Sequence, residues 1–422
     1  MSLLRHRDFR LLWASDTVSQ FSTFVAQTVM PLLAATALMA TPFEMGLLTA
    51  AETAAFLLIG LPAGAWVDRM RRRPLMVGAN VVRTVLLLSI PMAWWTGLLT
   101  LSQMIVVALV AGVCAVFFDV SYQSYLPTLV GREQLLEGNA KLQTSQSAAQ
   151  VTGPALGGVL TQLVGAATAI SVLGLGYAAS ALSLLRITRP EPKSASVPAH
   201  RLRAEIGEGL RFVYGNPIIR AIALTGGTVG FFQMMETASM VLFLTRDLGL
   251  SSSQVGLVLA AGGIGGGIGA ATSGRWYRRI GHAKAMWVPI VLLAPFELLI
   301  PLAQPGWRIW LVVVGIVGVN YLMIVQNVAQ VSFRQSVCPD RLLGRMNASM
   351  RFVMWGVFPF GALAGGTLGE LIGVRGTLWV AACGLSVSGV WLMLSPLRTI
   401  KHTTDAHHDL EARPTRDTAA SR

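Results

Sequence analysis

Long apolar runs dominate this sequence and decide what it can fold into. A bilayer core about 30 Å thick is crossed by about 20 helical residues, and runs of that length recur between charged or Gly/Pro-containing breaks. Only 13% of the residues are charged, against about 25% in soluble domains, which excludes a soluble globular protein. We therefore expect an all-α integral membrane protein with twelve transmembrane helices, over residues 11–38, 44–66, 74–97, 102–126, 141–164, 167–187, 217–245, 254–276, 284–303, 309–333, 347–371 and 376–396.

One long polar segment separates the first six of these runs from the last six. Within it, Leu202, Ile206, Leu210 and Val213 recur on one helical face, which predicts an amphipathic helix on the membrane surface. The polar, Thr-rich C-terminus is typical of disorder. The expected organisation is an N-terminal six-helix half (1–187), a cytoplasmic linker with the amphipathic helix (188–216), a C-terminal six-helix half (217–397) and a disordered cytoplasmic tail (398–422).

The excess of basic residues indicates topology. The chain has 33 Lys and Arg against 20 Asp and Glu, which in a soluble protein would suggest nucleic acid. In a membrane protein, Lys and Arg accumulate in short cytoplasmic loops. One side of the predicted bundle holds only Arg246, Arg308 and Arg375; with Arg83 inside a span, 29 lie on the side of both termini. We expect a multi-pass plasma-membrane protein with both termini cytoplasmic and no nucleic-acid partner.

The two halves resemble each other at nearly constant offsets. Gly46 corresponds to Gly256 at 210 residues, and Gly158 corresponds to Gly366 at 208. Two six-helix halves in parallel repeat predict a pseudo-symmetric transporter whose halves rock against each other.

The most specific motif lies between the second and third runs and reads Gly64-Ala-Trp-Val-Asp68-Arg69-Met-Arg71-Arg72-Arg73-Pro74. It resembles the signature loop of the major facilitator superfamily, Gly-x-x-x-Asp-Arg-x-Gly-Arg-Arg/Lys, with Arg71 in place of the second glycine. An ordinary cluster of positive charge explains the arginines but not Gly64 or Asp68 at this spacing.

The resemblance covers nearly the whole chain and is closest to the drug-exporting branch of macrolide-efflux and enterobactin-exporter-like proteins. The stretches that carry it are 9–13, 60–64, 126–130 and 339–345. It implies that Asp68 latches a cytoplasmic gate through a helix N-terminus, which attracts carboxylates. By the same resemblance Arg69, Arg72 and Arg73 are its supporting charges.

Small residues mark two runs where helices can approach closely. Gly153-Pro154-Ala-Leu-Gly157-Gly158 resembles the end of a motif associated with exporters of this superfamily, although Ala140 and Ala149 replace its upstream glycines. Pro154 weakens its helix, which would help a packed pair to rock. Ordinary helix packing is the alternative. Gly361, Gly365 and Gly366 are expected to act in the same way in the second half.

Ionisable residues inside apolar runs are costly and therefore candidates for function. Polar residues at helical spacing accompany them on the first, fourth, seventh and tenth runs, which line the central cavity in the family. The candidate residues for proton coupling and the substrate cavity are Asp16, Gln20, Glu52, Arg83, Asp119, Gln123, Gln233, Glu236, Asn320 and Asn327.

Depth along the runs divides the charged candidates into two groups. Asp16, Asp119 and Arg83 lie at comparable depth near the cytoplasmic edge, which predicts a carboxylate–guanidinium cluster that can capture or release a proton. Glu52 and Glu236 lie nearer the outer edge, where they could bind protons or a cationic substrate. Structural polar packing is the alternative for each. Glu297 is on the ninth run, peripheral in the family, and is expected to be structural or at the lipid edge.

The sequence lacks the residues that other classes of function require. All six histidines lie outside the apolar runs, so we expect neither membrane-embedded catalysis nor a metal site. The sequence has no Gly-x-x-x-x-Gly-Lys-Ser/Thr loop for ATP. We expect a non-enzyme without cofactor, driven by a proton gradient.

The resulting hypothesis is a proton-coupled exporter of small amphiphilic molecules that works by alternating access, as a monomer in the lipid bilayer. Export, rather than import, is implied by the resemblance. The alternative is an uptake symporter or facilitator for a nutrient or metabolite on the same fold.

Overall fold

The computed structural model describes residues 3, 6–131, 134–189, 191, 200–338 and 340–395. Within these residues the regular structure is helical. The helices are α1 (Arg7–Thr36), α2 (Pro42–Arg69), α3 (Arg72–Trp95), α4 (Leu101–Val130), α5 (Leu135–Val164), α6 (Ala166–Leu185), α7 (His200–Gly215), α8 (Pro217–Leu242), α9 (Ser252–Leu302), α10 (Trp310–Val337), α11 (Asp340–Trp355), α12 (Phe358–Val387) and α13 (Val390–Met393).

These helices coincide with the predicted apolar runs, which confirms an all-α membrane bundle. In the part of the chain that the structure describes, nine stretches are long and apolar enough to cross a membrane. Helix α9 contains two of them and turns at Gly281, which has φ 78°. Met346–Met393 counts as one stretch that turns at Gly373, also at φ 78°. The number twelve stays a prediction, because α1 and α5 are long enough but more polar.

Local sequence signals fix where key helices begin. Helix α2 starts with a capping box, in which the Thr41 hydroxyl accepts from the Glu44 N–H at 3.3 Å and the Glu44 carboxylate accepts from the Thr41 N–H at 2.8 Å. Helix α8 starts with Asn216, whose side-chain oxygen accepts from the next two free N–H groups. Proline follows each cap, where its missing N–H costs nothing. These starts set the register of two helices that line the central cavity.

The repeat glycines meet each other across the two halves. A Cβ on Gly256 would lie 2.8 Å from the Cα of Gly158, which brings α5 against α9. A Cβ on Gly46 would lie 2.6 Å from the Cα of Gly366, which brings α2 against α12. The internal repeat relates Gly46 to Gly256 and Gly158 to Gly366, so the two contacts are equivalent by the repeat. The pseudo-symmetric arrangement predicted from the sequence is therefore confirmed in these contacts.

Hydrogen bonds join the halves at the same end of the bundle, where α1 ends and α2 begins. We call this the sealed end, and the opposite end, where α1 begins, the basic end. The bonds run from Arg246 Nη2 to the carbonyls of Ala35 (3.1 Å) and Ala40 (2.9 Å), from Phe43 N to Glu370 Oε1 (3.3 Å), and from Ser253 N to Gln162 Oε1 (3.2 Å). Among the described residues, the hydrogen bonds between α1–α6 and α8–α13 are confined to this end.

Replacing Gly256 by leucine should loosen the sealed end. Overpacking typically costs about 1–3 kcal/mol, which changes an equilibrium about 5- to 150-fold. The probe is Thr237→Cys in a chain without its native cysteines, because Thr237 lines the central cavity. We expect this probe to react faster with an impermeant maleimide that is added at the sealed end.

Gly267→Leu is the matched control on the same helix, because a Cβ there meets nothing within 4 Å. Equal labelling of both variants, each shown to be folded by size-exclusion chromatography, would contradict the role of the glycine contact.

Candidate transport cavity

A central cavity of about 360 Å³ lies between the two halves, below the sealed end. Its acidic residues are Glu52 on α2 and Glu236 on α8, both half-buried. Three amides, from α1, α8 and α10, share the lining with methionine, threonine and aliphatic side chains. They are Gln27, Gln233 and Asn320. The cavity thus combines negative charge, neutral hydrogen-bonding groups and apolar walls.

A second cavity of about 250 Å³ continues from this one and shares Gln233 and Asn320 with it. Trp355 and Phe358 form its aromatic side. Further amides line it, namely Gln150, Gln326, Asn327 and Gln330. The predicted polar stripe of α10 therefore faces a cavity along its length, as the spacing of its residues indicated.

A third, smaller cavity of about 120 Å³ lies within the first half and is lined by both Glu52 and Arg83. Gln27 and Glu52 border this cavity and the central one. Glu52 therefore lies between the central cavity and a mainly apolar pocket that is also lined by Arg83.

Arg83 is buried, with 3% of its surface exposed. Its Nε donates to the Ala111 carbonyl at 3.3 Å and its Nη1 to the Ser19 hydroxyl at 3.5 Å. The guanidinium also lies 5.0 Å from the Tyr177 ring centre and 5.8 Å from that of Phe118, which is cation–π distance. Among the described residues it forms no salt bridge, so dipoles and rings stabilise this charge.

The expected cluster of Asp16, Asp119 and Arg83 therefore contains no ion pair among the described residues. Asp16 is buried and accepts a hydrogen bond from Gln20 Nε2 at 3.4 Å. Asp119 has an exposed side chain on α4 and lies within range of the charges of Asp16 and Arg83. The structure brings these three charged groups within range of one another without an ion pair among the described residues. Gln123, one turn further along α4, is exposed as well.

Arg351 on α11 is a charged residue that the sequence analysis missed. Its charge acts on Asp119 from the other half, and its guanidinium lies 5.4 Å from the Trp355 ring centre. It is exposed. The available signal was its position inside the apolar run 347–371, where an arginine is as unusual as an acid.

Glu297 on α9 lies inside the bundle, so of its two expected roles the one at the lipid edge is wrong and the structural one stays a prediction. Only 1% of its surface is exposed. Leu293 and Ile300, one turn away on either side, are buried to a similar degree, so this face of the helix points inward. Its charge and that of Glu236 act on each other.

The predicted gate lies in the short connection between α2, which ends at Arg69, and α3, which begins at Arg72. The Asp68 side chain is outside the described residues, so its role as a latch stays a prediction. A Cβ on Gly64 would meet nothing within 4 Å, so close packing does not require glycine there. Arg69 is exposed.

A different carboxylate caps the N-terminus of α3. Glu191 accepts from the Arg72 N–H at 2.6 Å and from the Arg73 N–H at 3.2 Å, where the helix dipole favours negative charge. The Arg73 side chain donates to the carbonyls of Leu184 at 2.9 Å and Leu185 at 2.5 Å, at the end of α6. No spacing pattern in the sequence pointed to Glu191, a single acid in a proline-rich segment.

The predicted small-residue segments do bring helices together within each half. A Cβ on Gly153 would lie 2.7 Å from Phe24 Cβ, and one on Gly157 would lie 3.1 Å from the Val25 carbonyl oxygen, both on α1. In the second half a Cβ on Gly365 would lie 2.8 Å from the Met235 Cα on α8. Gly361 similarly faces the Phe231 backbone, and Pro154 lies inside α5 beside these contacts.

Solved structures with the same fold are transporters. The chain is similar to a bacterial homologue of the iron transporter ferroportin in an inward-facing state, with a TM-score of 0.76, 14% identity and coverage of 93% of this chain and 99% of that one. It is also similar to a bacterial homologue of the lysosomal transporter Spinster, inward-facing and unoccupied, with a TM-score of 0.71, 15% identity and coverage of 97% and 99%. These likenesses establish the fold.

Sequence relatives are exporters. The enterobactin exporter EntS of Citrobacter koseri is 29% identical over 276 residues, which is 64% of this chain and 63% of the exporter. The chain thus matches less than two thirds of that relative's length. The multidrug efflux pump Tap of Mycolicibacterium fortuitum is 25% identical over 363 residues, 84% of this chain and 87% of the pump.

The fold and the cavity between its halves are those of a major facilitator transporter. Residues 1–418 match the model of the transmembrane secretion effector family, and the chain belongs to that family. Among the described residues, no group of three or more His, Cys, Asp or Glu side chains is placed to hold a metal ion.

Asp119 should be reachable from the basic end. Two chains are compared, both with Cys338 and Cys383 replaced by serine. The chain that carries Cys114→Ser and Asp119→Cys should react with a hydrophilic maleimide at least about tenfold faster than the chain that keeps Cys114 and Asp119. Cys114 is 8% exposed on the same helix, and buried thiols react slowly. Similar rates from the basic end would show that water does not reach Asp119.

Loss of the Glu191 carboxylate should destabilise the start of α3. Replacing a helix-capping side chain by alanine costs about 0.5–2 kcal/mol, so Glu191→Ala should lower the apparent melting temperature in detergent. Glu191→Gln, which keeps an acceptor but no charge, should lie between alanine and the parent. An unchanged melting temperature for Glu191→Ala would contradict the capping role.

Proposed function

We propose that this protein exports small amphiphilic molecules across the cytoplasmic membrane in exchange for protons, by alternating access between its two halves. The observation that carries the proposal is the central cavity, closed at one end by contacts between the halves and lined by two carboxyls, amides and apolar side chains. Membership in a family of transporters with exporters among its relatives supports the outward direction.

The basic end faces the cytoplasm in this proposal. The distribution of Lys and Arg supports it, since 29 of the 33 fall on the side of the termini and such residues accumulate in cytoplasmic loops. With this orientation the sealed end is extracellular and the structure is inward-facing. Substrate then enters from the cytoplasm, past Asp119 and Arg351.

The walls of the central cavity suit an amphiphile. Met45, Met234 and Met240 supply flexible apolar surface, which adapts to molecules of different shape. Glu52 and Glu236 supply negative charge on opposite halves. A cationic or hydrogen-bonding amphiphile would contact both halves at once, so its binding and release can be coupled to their relative movement.

Protons supply the energy in this proposal. Each net positive charge that moves inward through 100 mV releases about 2.3 kcal/mol, which sustains a gradient of about fifty-fold at tight coupling. Exchange of one proton for one monocation moves no net charge, so the pH difference drives it. Protons arriving through the opened sealed end would neutralise Glu236 and Asp119 and displace the substrate. After the halves rock back, release of the protons to the cytoplasm restores the binding charge.

Everted membrane vesicles from a host without its own drug pumps provide the test. Energised vesicles with the parent protein should accumulate ethidium, used as a cationic amphiphile, and a protonophore should abolish the accumulation. Asp119→Asn and Glu236→Gln should each remove the proton-driven part, whereas Glu44→Gln, in the capping box outside the cavity, should keep it.

Two results would overturn the proposal. Proton-driven accumulation at the parent level in both cavity variants would remove Asp119 and Glu236 from the mechanism. Failure of any tested amphiphile to be extruded, together with increased uptake of a metabolite by intact cells, would support import.

A further inference from the structure

A buried carboxyl without a counter-charge lies behind the wall of the central cavity. Glu297 is 1% exposed, and its Oε1 is buried without a hydrogen-bond partner. It forms no salt bridge with any described residue. An ionised, unpaired carboxylate is strongly disfavoured in such a place, so its charge must be neutralised by a proton or another cation.

Glu236 and Glu297 lie at matching levels of α8 and α9. Phe232 of α8 packs against the cluster that contains Leu293 of α9, and Glu236 and Glu297 each lie one turn further along their helices. On the same face of α9, Ile300 lines the central cavity together with Glu236. Leu293 packs in one cluster with Val319 and Leu322 of α10 and Leu385 of α12. The carboxyl of Glu236 is the group whose charge acts on Glu297.

The described charged groups on adjoining elements leave the pair without a cation. From α2, Glu52 lines the same cavity and is itself acidic. From α12, the Arg375 side chain lies 3.7 Å from Asp247 and donates to the carbonyls of Pro301 and Ala303. Helices α1 and α10 present the neutral amides Gln27 and Asn320 to the cavity.

We propose that Glu236 and Glu297 form a cation-binding pair that holds one proton between them while the central cavity is empty. Glu297 is the buried member, and Glu236 is the member that meets the cavity. With one proton the pair has a net charge of −1, because two carboxyls and one proton carry one negative charge. Two like charges in one apolar site favour this state over double ionisation.

The role of the pair in transport rests on the proposed function. A monocationic group bound at Glu236 neutralises the pair while the proton stays on Glu297. A second proton on Glu236 neutralises it equally well, so proton and cation compete for one negative charge. Glu297 would keep the site selective for a single positive charge without touching the substrate.

Infrared difference spectroscopy of the purified protein at neutral pH tests the pair without any substrate. Protonated carboxyls absorb in a C=O stretching band that ionised ones lack. We expect Glu236→Gln/Glu297→Gln to lose the band of one carboxyl relative to the parent, and Glu236→Gln alone to keep it, because the remaining buried Glu297 retains the proton. Glu44→Gln, in the capping box at the start of α2, serves as the matched control.

Three results would overturn the proposal. Loss of two carboxyl bands in the double variant would mean two independent protonated groups, and no loss would mean that neither binds a proton there. A parent band that falls when sodium chloride replaces choline chloride would assign the site to sodium.

Transport measurements separate this inference from the proposed function. If the infrared result holds and ethidium is not exported, the pair exists in a transporter of another kind. If ethidium is exported against a proton gradient while the double variant loses no band, the exporter stands and this pair does not.

Discussion

Backbone contact between the two halves is the interaction on which the rest of this structure depends. Gly158 against Gly256 and Gly46 against Gly366 let helix backbones approach to distances that a side chain would prevent. This approach closes one end of the bundle. It also brings α2 and α8 to opposite sides of one cavity, so that Glu52 and Glu236 face a shared space. Where small residues allow such contact, packing itself drives helix association in the membrane.

The few charges inside the bundle are stabilised in different ways, and the differences suggest a division of tasks. Arg83 is surrounded by a carbonyl, a hydroxyl and two rings, so it stays fixed without an acidic partner. Asp119 has an exposed side chain and lies within range of the charges of Arg83 and Arg351, one from each half. Glu297 is buried and has no counter-charge among the described residues. In a medium that penalises uncompensated charge, each arrangement favours a different response to a proton or a cation.

Much of the fold was predictable from the sequence, and the side-chain contacts were less so. Apolar runs give the helices because the bilayer fixes their length, and the repeat singled out the glycines that meet across the halves. Glu52 and Glu236 were recognisable because a charge in an apolar run is rare. The facing direction of Glu297 depends on how α9 packs against α10 and α12, and the capping by Glu191 depends on a loop returning to α3. Neither has a signature in local spacing.

The central claim is that an amphiphile and protons move in opposite directions through one cavity. Purified protein reconstituted into liposomes, with ethidium and internal pH followed at the same time, tests it most directly. An outward ethidium gradient imposed without any initial pH difference should drive protons inward, and Glu236→Gln should abolish this proton movement. Ethidium efflux with no proton movement, or with protons moving in the same direction as ethidium, would contradict the account.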